Sequence, residues 1–198
     1  MTPARWLLPW LLLWVLAPDA AAEPDIDVSF DGSRLEFRLD AAMRAPRAQV
    51  ETVLQDYSRF DRVLPLVVES RSLGEVADGV ERIATRMRGC VLFVCREIDH
   101  VFDVRAIPGH WSSGITVPEL SRIRRGHMAW RIEGLDRDGP RSRLQLYGYF
   151  EPDFSVPRLF GPPLVRLWVG SELEKSVGRI EEAALALGEQ GAPAVEVR

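Results

Sequence analysis

Lysine is nearly missing from this chain: of 25 cationic side chains only Lys175 is not arginine. Set against 29 acidic residues they leave a formal net charge of −4, so the basic excess of a general nucleic-acid binder is absent. The arginine preference reads as a compositional bias, not as a set of phosphate-binding forks. Asparagine is also absent, which leaves the turns to Gly, Pro and Asp. The two cysteines lack Cys-x-x-Cys spacing and no histidine stands at ligand spacing from them, which argues against a redox centre or zinc. No Gly-x-Ser-x-Gly elbow, His-Glu-x-x-His, phosphate-binding loop or dinucleotide glycine pattern occurs. No motif therefore names a reaction, and no metal or cofactor is expected.

What is present is an ordinary globular composition, 46% hydrophobic and 27% charged over 198 residues, enough apolar surface for one core. The start of the chain stands apart. Arg5 precedes an apolar run over residues 6–16, followed by Ala20-Ala21-Ala22. A positive n-region, a short h-region and a small-residue cleavage site make a secretory signal peptide, with cleavage expected after Ala22. The run falls short of the roughly 20 residues that span a bilayer. Removing residues 1–22 takes away Arg5 and Asp19 together, so the net charge stays at −4, and with them three of the six tryptophans. The mature protein is expected in the periplasm, with residues 23–188 as one domain and 189–198 as a frayed tail.

Residues 27–30 and 34–43 flank Asp31-Gly32 and suggest a first strand or hairpin. Pro46 opens a helix over 47–56 with Val50, Val53 and Leu54 on one face, and a second short helix follows over 57–64. Then the period changes: 66–73, 79–90, 95–107, 114–124, 126–135 and 142–150 read as strands with short turns, an antiparallel meander. Pro152, Pro157, Pro162 and Pro163 mark a bend. A last helix over 164–187 carries Leu164, Leu167, Trp168, Leu173, Val177, Ile180, Ala184 and Leu187 at steps of mostly three and four, with Gly188 as its C-cap.

Several stretches resemble the START/Bet v 1-like superfamily of helix-grip, polyketide-cyclase and coenzyme Q-binding-like proteins. They are Ala45-Pro46; the run from Val53 through Asp56-Tyr57-Ser58-Arg59-Phe60 to Leu64-Pro65; Met128-Ala129-Trp130-Arg131-Ile132 with Leu144-Gln145-Leu146-Tyr147; and Glu151-Pro152-Asp153-Phe154-Ser155-Val156-Pro157. The resemblance covers residues 26–187. It implies an α+β helix-grip fold: a curved antiparallel sheet of about six or seven strands, two short helices after the first strand, and a long C-terminal helix. It also implies a hydrophobic-ligand cavity between sheet and helix.

Met128, Trp130 and Ile132 share one strand face, and Leu144, Leu146 and Phe150 share another. With Phe102, Tyr147, Leu164, Leu167 and Trp168 they are the candidate ligand-binding residues, although a filled core shows the same pattern. Arg86 and Arg88 share a face with Cys90 and read as solvated or as a headgroup anchor.

Cys90 and Cys95 would lie about 16 Å apart in one extended strand, at ~3.3 Å per residue, whereas a disulfide needs Cα atoms within roughly 7 Å. A bond therefore requires Val91, Leu92, Phe93 and Val94 to turn the chain back; the alternative is two buried thiols. Export favours the bond. The apolar tip then calls for a membrane surface, a protein partner or the chain's own C-terminal segment.

The leading expectation is a monomeric periplasmic carrier or sensor of a lipid, isoprenoid or quinone-like molecule, with transient membrane contact and no nucleic acid. The alternatives are a cyclase/dehydratase-type enzyme using His100, Tyr147 or Arg131 as acid–base groups, and a non-catalytic envelope interaction protein. His100, His110 and His127 each occur singly among strand residues, the usual setting of a structural histidine.

Overall fold

Alternating apolar and polar residues through the middle of the chain build one continuous sheet. The computed structural model describes residues 23–91, 94–107, 111–136, 139–154 and 161–191. The expected leader 1–22, tip residues Leu92 and Phe93, His110 and residues 192–198 lie outside these. The strands are β1 (Asp25–Asp31), β2 (Arg34–Met43), β3 (Val67–Ala77), β4 (Val80–Val91), β5 (Val94–Arg105), β6 (Ser112–Thr116), β7 (Ile123–Gly134) and β8 (Ser142–Pro152). Between β2 and β3 come α1 (Arg47–Gln55), a 3-10 turn (Tyr57–Arg59) and α2 (Phe60–Val63); α3 (Gly161–Gly191) closes the described chain. All neighbours pair antiparallel in the order β1-β2-β8-β7-β6-β5-β4-β3.

The fold is the expected α+β arrangement of an open antiparallel sheet gripping a long helix. It has eight strands, more than the six or seven expected, because the turn at Gly32 divides the first run into two full strands. Gly32 and Gly79 hold φ of 62° and 64°, the left-handed region that these two tight turns require. The expected strand over 114–124 is corrected: β6 ends at Thr116 and a 3-10 turn, Pro118–Leu120, precedes β7. Pro118 has no N–H to give a ladder. Pro162 and Pro163 do not bend the chain away from the helix but lie in its first turn, where a missing N–H breaks no bond. Gly188 is not the C-cap, since the helix continues through it to Gly191.

The concave face holds the core. Leu39, Met43, Phe102, Trp130, Ile132 and Leu144 pack with Val50 and Leu54 of α1 and Ile180 and Ala184 of α3. A second cluster joins Val28 and Phe37 to Val169. The C-terminal half of α3 is tied down by Glu181, whose carboxylate accepts from the Arg44 backbone N–H at 2.7 Å and from its Nε and Nη2 at 3.0 and 2.8 Å. On the convex face arginines pair with carboxylates of neighbouring strands: Arg82 with Asp103, Arg86 with Asp99, Arg143 with Asp40 and Arg34 with Glu151. Among the described residues no helix is long and apolar enough to cross a membrane.

Candidate functional site

Strand register divides the inner lining into two zones. Ile132 pairs with Leu144, Trp130 with Leu146, Met128 with Gly148 and Gly126 with Phe150, so these residues share the concave face with Leu35, Phe37, Leu39 and Ala41 of β2. Under the C-terminal half of α3 that face is closed by its own side chains: Phe102, Trp130, Ile132 and Leu144 are buried against Ile180 and Ala184. Under the N-terminal half, Val28, Phe37 and Val169 form a small buried cluster, and Leu35, Met128, Leu146, Phe150, Trp168 and Leu173 around it are only partly buried, as is Met87, two residues from Gly89 along β4. Apolar side chains left partly open on a concave surface are the ordinary makings of a ligand site.

Trp168 crosses this zone. A Cβ on Gly89 of β4 would stand 2.6 Å from its ring, so the glycine is what lets the indole lie on the strand. Deeper in, His100 is 2% exposed. Its Nε2 is 2.9 Å from Thr116 Oγ1, and its ring stacks on Phe102 at 5.0 Å and meets Phe150 edge-on at 5.2 Å. Burial lowers its pKa to about 4, so the imidazole is neutral at pH 7. Thr85 donates to the His100 carbonyl at 3.1 Å.

The candidate residues divide accordingly. Phe102, Trp130, Ile132 and Leu144 belong to the closed zone, and Met128, Leu146 and Trp168 to the partly open one, while Leu164 is half-buried in the first turns of α3. Tyr147 does not face the helix: its parity puts it on the convex side, 46% exposed, with its ring 5.2 Å from that of Trp111. Leu167 is also corrected. It is 73% exposed and lines an outer groove of about 660 Å³ between α3 and edge strand β1, because the helix turns Trp168 and Val169 inward instead. The suggested acid–base candidates do not converge, since Arg131 pairs with Glu133 and, like Tyr147, has the outward parity opposite to His100. Arg86 and Arg88 are taken by Asp99, Glu69 and Glu97.

Cys90 and Cys95 are register partners across the β4–β5 hairpin and form a disulfide with Cα atoms 4.0 Å apart. Both are exposed, which removes the buried-thiol alternative. Leu92 and Phe93, and the side chains of Val91 and Val94, lie outside the described residues, so the expected membrane or partner contact of this tip does too. Among the described residues no cluster of His, Cys, Asp or Glu has the arrangement of a metal site.

The family described as polyketide cyclase / dehydrase and lipid transport matches residues 34–184. The chain belongs to that family. No curated relative matches the sequence. Solved structures share the fold at low identity. A STAR-related lipid transfer protein from Xanthomonas axonopodis is 19% identical with a TM-score of 0.60, over 83% of this chain and 95% of the other. A START superfamily protein from Mycobacterium smegmatis is 14% identical with a TM-score of 0.60, over 77% and 98%. An aromatase/cyclase from a Streptomyces species is 16% identical with a TM-score of 0.56, over 83% and 99%.

Within this cyclase and lipid-transport family member, sequence reasoning passed over Met87, Gly89, Arg96 and Thr116. Met87, with Ile83 and Thr85 at steps of two, carried an alternation signal. Gly89 continues that alternation and Arg96 shares the parity of Ile98 and His100, but the contacts that single them out depend on where Trp168 and Phe154 land.

Proposed function

We propose that the protein is exported and, in the periplasm, binds a hydrophobic small molecule of lipid, isoprenoid or quinone-like character between the concave face and the N-terminal half of α3. The observation that carries this reading is the contrast along the cup. Apolar side chains are sealed at one end and partly open at the other, around Met87, Met128, Phe150 and Trp168. Two methionines in the open zone suit a site that adapts to a flexible ligand. Lipid transport is one of the activities in the family's description, and a lipid transfer protein is among its structural neighbours. The apolar leader and the Cys90–Cys95 disulfide support an oxidising compartment.

Native mass spectrometry of gently purified protein tests the site. A stoichiometric apolar adduct, lost in Met128→Asp, is the expected result. A bare chain that also fails to take up added phospholipid or quinone overturns the reading. Cell fractionation with N-terminal sequencing tests export, and a mature chain starting at Glu23 is expected.

A further inference from the structure

The β4–β5 hairpin carries five arginines, of which four face outward: Arg82 pairs with Asp103 at 2.7 Å, Arg86 with Asp99 at 3.1 Å and Arg88 with Glu97, while Arg105 at the far end of β5 donates to the Asp78 carbonyl. Arg96 differs. It is the register partner of Gly89, and alternation along the strands places both on the concave face with Met87 and Ile98. Because Gly89 is the residue on which the Trp168 ring rests, Arg96 stands one strand over, about 5 Å away, at the edge of the partly open zone. Its guanidinium lies over the Phe154 ring, 5.8 Å from the centroid. Among the described residues no carboxylate is within ion-pair distance of it. The carboxylates next in sequence to Arg96 and Phe154 are committed elsewhere, Glu97 to Arg88 and Asp153 to Arg122. The flanking stretches 91–94 and 155–160 contain no acidic residue. The disulfide ends at the preceding residue, Cys95, and ties the two strands together at this level.

We propose that Arg96 is the headgroup anchor of the concave site, and that the ligand is an anionic amphiphile with an apolar chain ending in a carboxylate or a phosphate. This rests on the reading that the concave zone takes an apolar ligand, and adds the charge and the orientation. A guanidinium backed by an aromatic ring and lacking a protein carboxylate presents a planar fork of donors to a bidentate anion. The tail then runs inward over Trp168, Met87 and Met128, and the charged end stays at the rim, where its desolvation cost is small.

The test measures displacement of Nile red by oleate, oleoyl lysophosphatidate and oleyl alcohol, three ligands with one chain and different ends. Proteins compared are the unmodified chain, Arg96→Ala, Arg96→Lys and, as an outward-facing control, Arg88→Ala. The expected result is a preference of roughly tenfold for at least one anion over the alcohol, the size of one charge-assisted hydrogen bond. That preference disappears in Arg96→Ala, survives in part in Arg96→Lys and fully in Arg88→Ala, and weakens with ionic strength. Whichever anion is preferred identifies the headgroup. Alcohol binding equal to that of both anions, or a preference that persists in Arg96→Ala, overturns the assignment of Arg96 and leaves the apolar site standing. Failure of all three ligands to displace the dye overturns the apolar site as well.

Discussion

His100 and Tyr57 are both titratable, both buried, and differ in whether their polar atoms are partnered. For His100 the folded-state pKa of about 4 lies below the ordinary imidazole value of 6.5, from burial alone. Above pH 6.5 the ring is neutral in folded and unfolded chains alike. As pH falls from 6.5 towards 4 the unfolded chain takes a proton that the folded one refuses, so stability is lost across that window and levels off below it. The loss is about 3 kcal/mol in full, and urea unfolding measured across this range should show a slope that His100→Phe removes. The Tyr57 hydroxyl is buried with no hydrogen-bond partner, and burial pushes its pKa to about 12. Tyr57→Phe is therefore expected to leave the urea midpoint unchanged or to raise it, since an unsatisfied hydroxyl costs about 1 kcal/mol or more. A clear fall in the midpoint would reveal a partner for that hydroxyl.

At the scale of elements, α3 is held at two places by different physics. Near its C-terminal end Glu181 takes three hydrogen bonds from Arg44 while itself buried, so Glu181→Gln is expected to cost about 1–3 kcal/mol in urea unfolding. Near its N-terminal end the contact is steric, Trp168 on Gly89. Gly89→Val forces the indole off the strand at a cost of about 1–3 kcal/mol. The cost should shrink in a Trp168→Ala background, and a double-mutant cycle reads that coupling directly. The hairpin tied by Cys90 and Cys95 encloses few residues. Reduction is accordingly expected to remove only about 2 kcal/mol on the chain-entropy account, lowering Tm without unfolding the domain at room temperature.

For the molecule as a whole, the sheet's two faces do separate work. The convex face is zipped by arginine–carboxylate pairs, each worth about 0–1 kcal/mol where exposed, which gives the arginine-rich composition a structural use that composition alone did not suggest. Arg143 exemplifies it, its hydrogen bonds holding the Asp40 carboxyl below the usual carboxylate range. The concave face is sealed under one half of α3 and partly open under the other. A ligand taken there should raise Tm in proportion to the logarithm of its concentration. Protection from hydrogen exchange should appear first in β4, β5 and the N-terminal half of α3.

Much of this fold was legible in the chain itself. Alternation at Met128, Trp130 and Ile132, and again at Leu144, Leu146 and Phe150, fixed strands and shared faces, because the period of two is a local property of extended backbone. A bond between the two cysteines required a hairpin for the same reason, a limit on how far six residues extend, and the structure closes that hairpin. Tertiary structure alone decided which of two adjacent apolar helix residues turns inward, Trp168 or Leu167, since neighbours on a helix point about 100° apart and only docking sets the rotation. It also decided that the face carrying Arg96, and not the one carrying Arg86 and Arg88, is the concave side, whereas the opposition of Tyr147 to Leu144 and Leu146 was already set by alternation. Which face the helix covers depends on packing between elements distant in sequence, and a slip of one residue in strand register would carry a side chain to the other face.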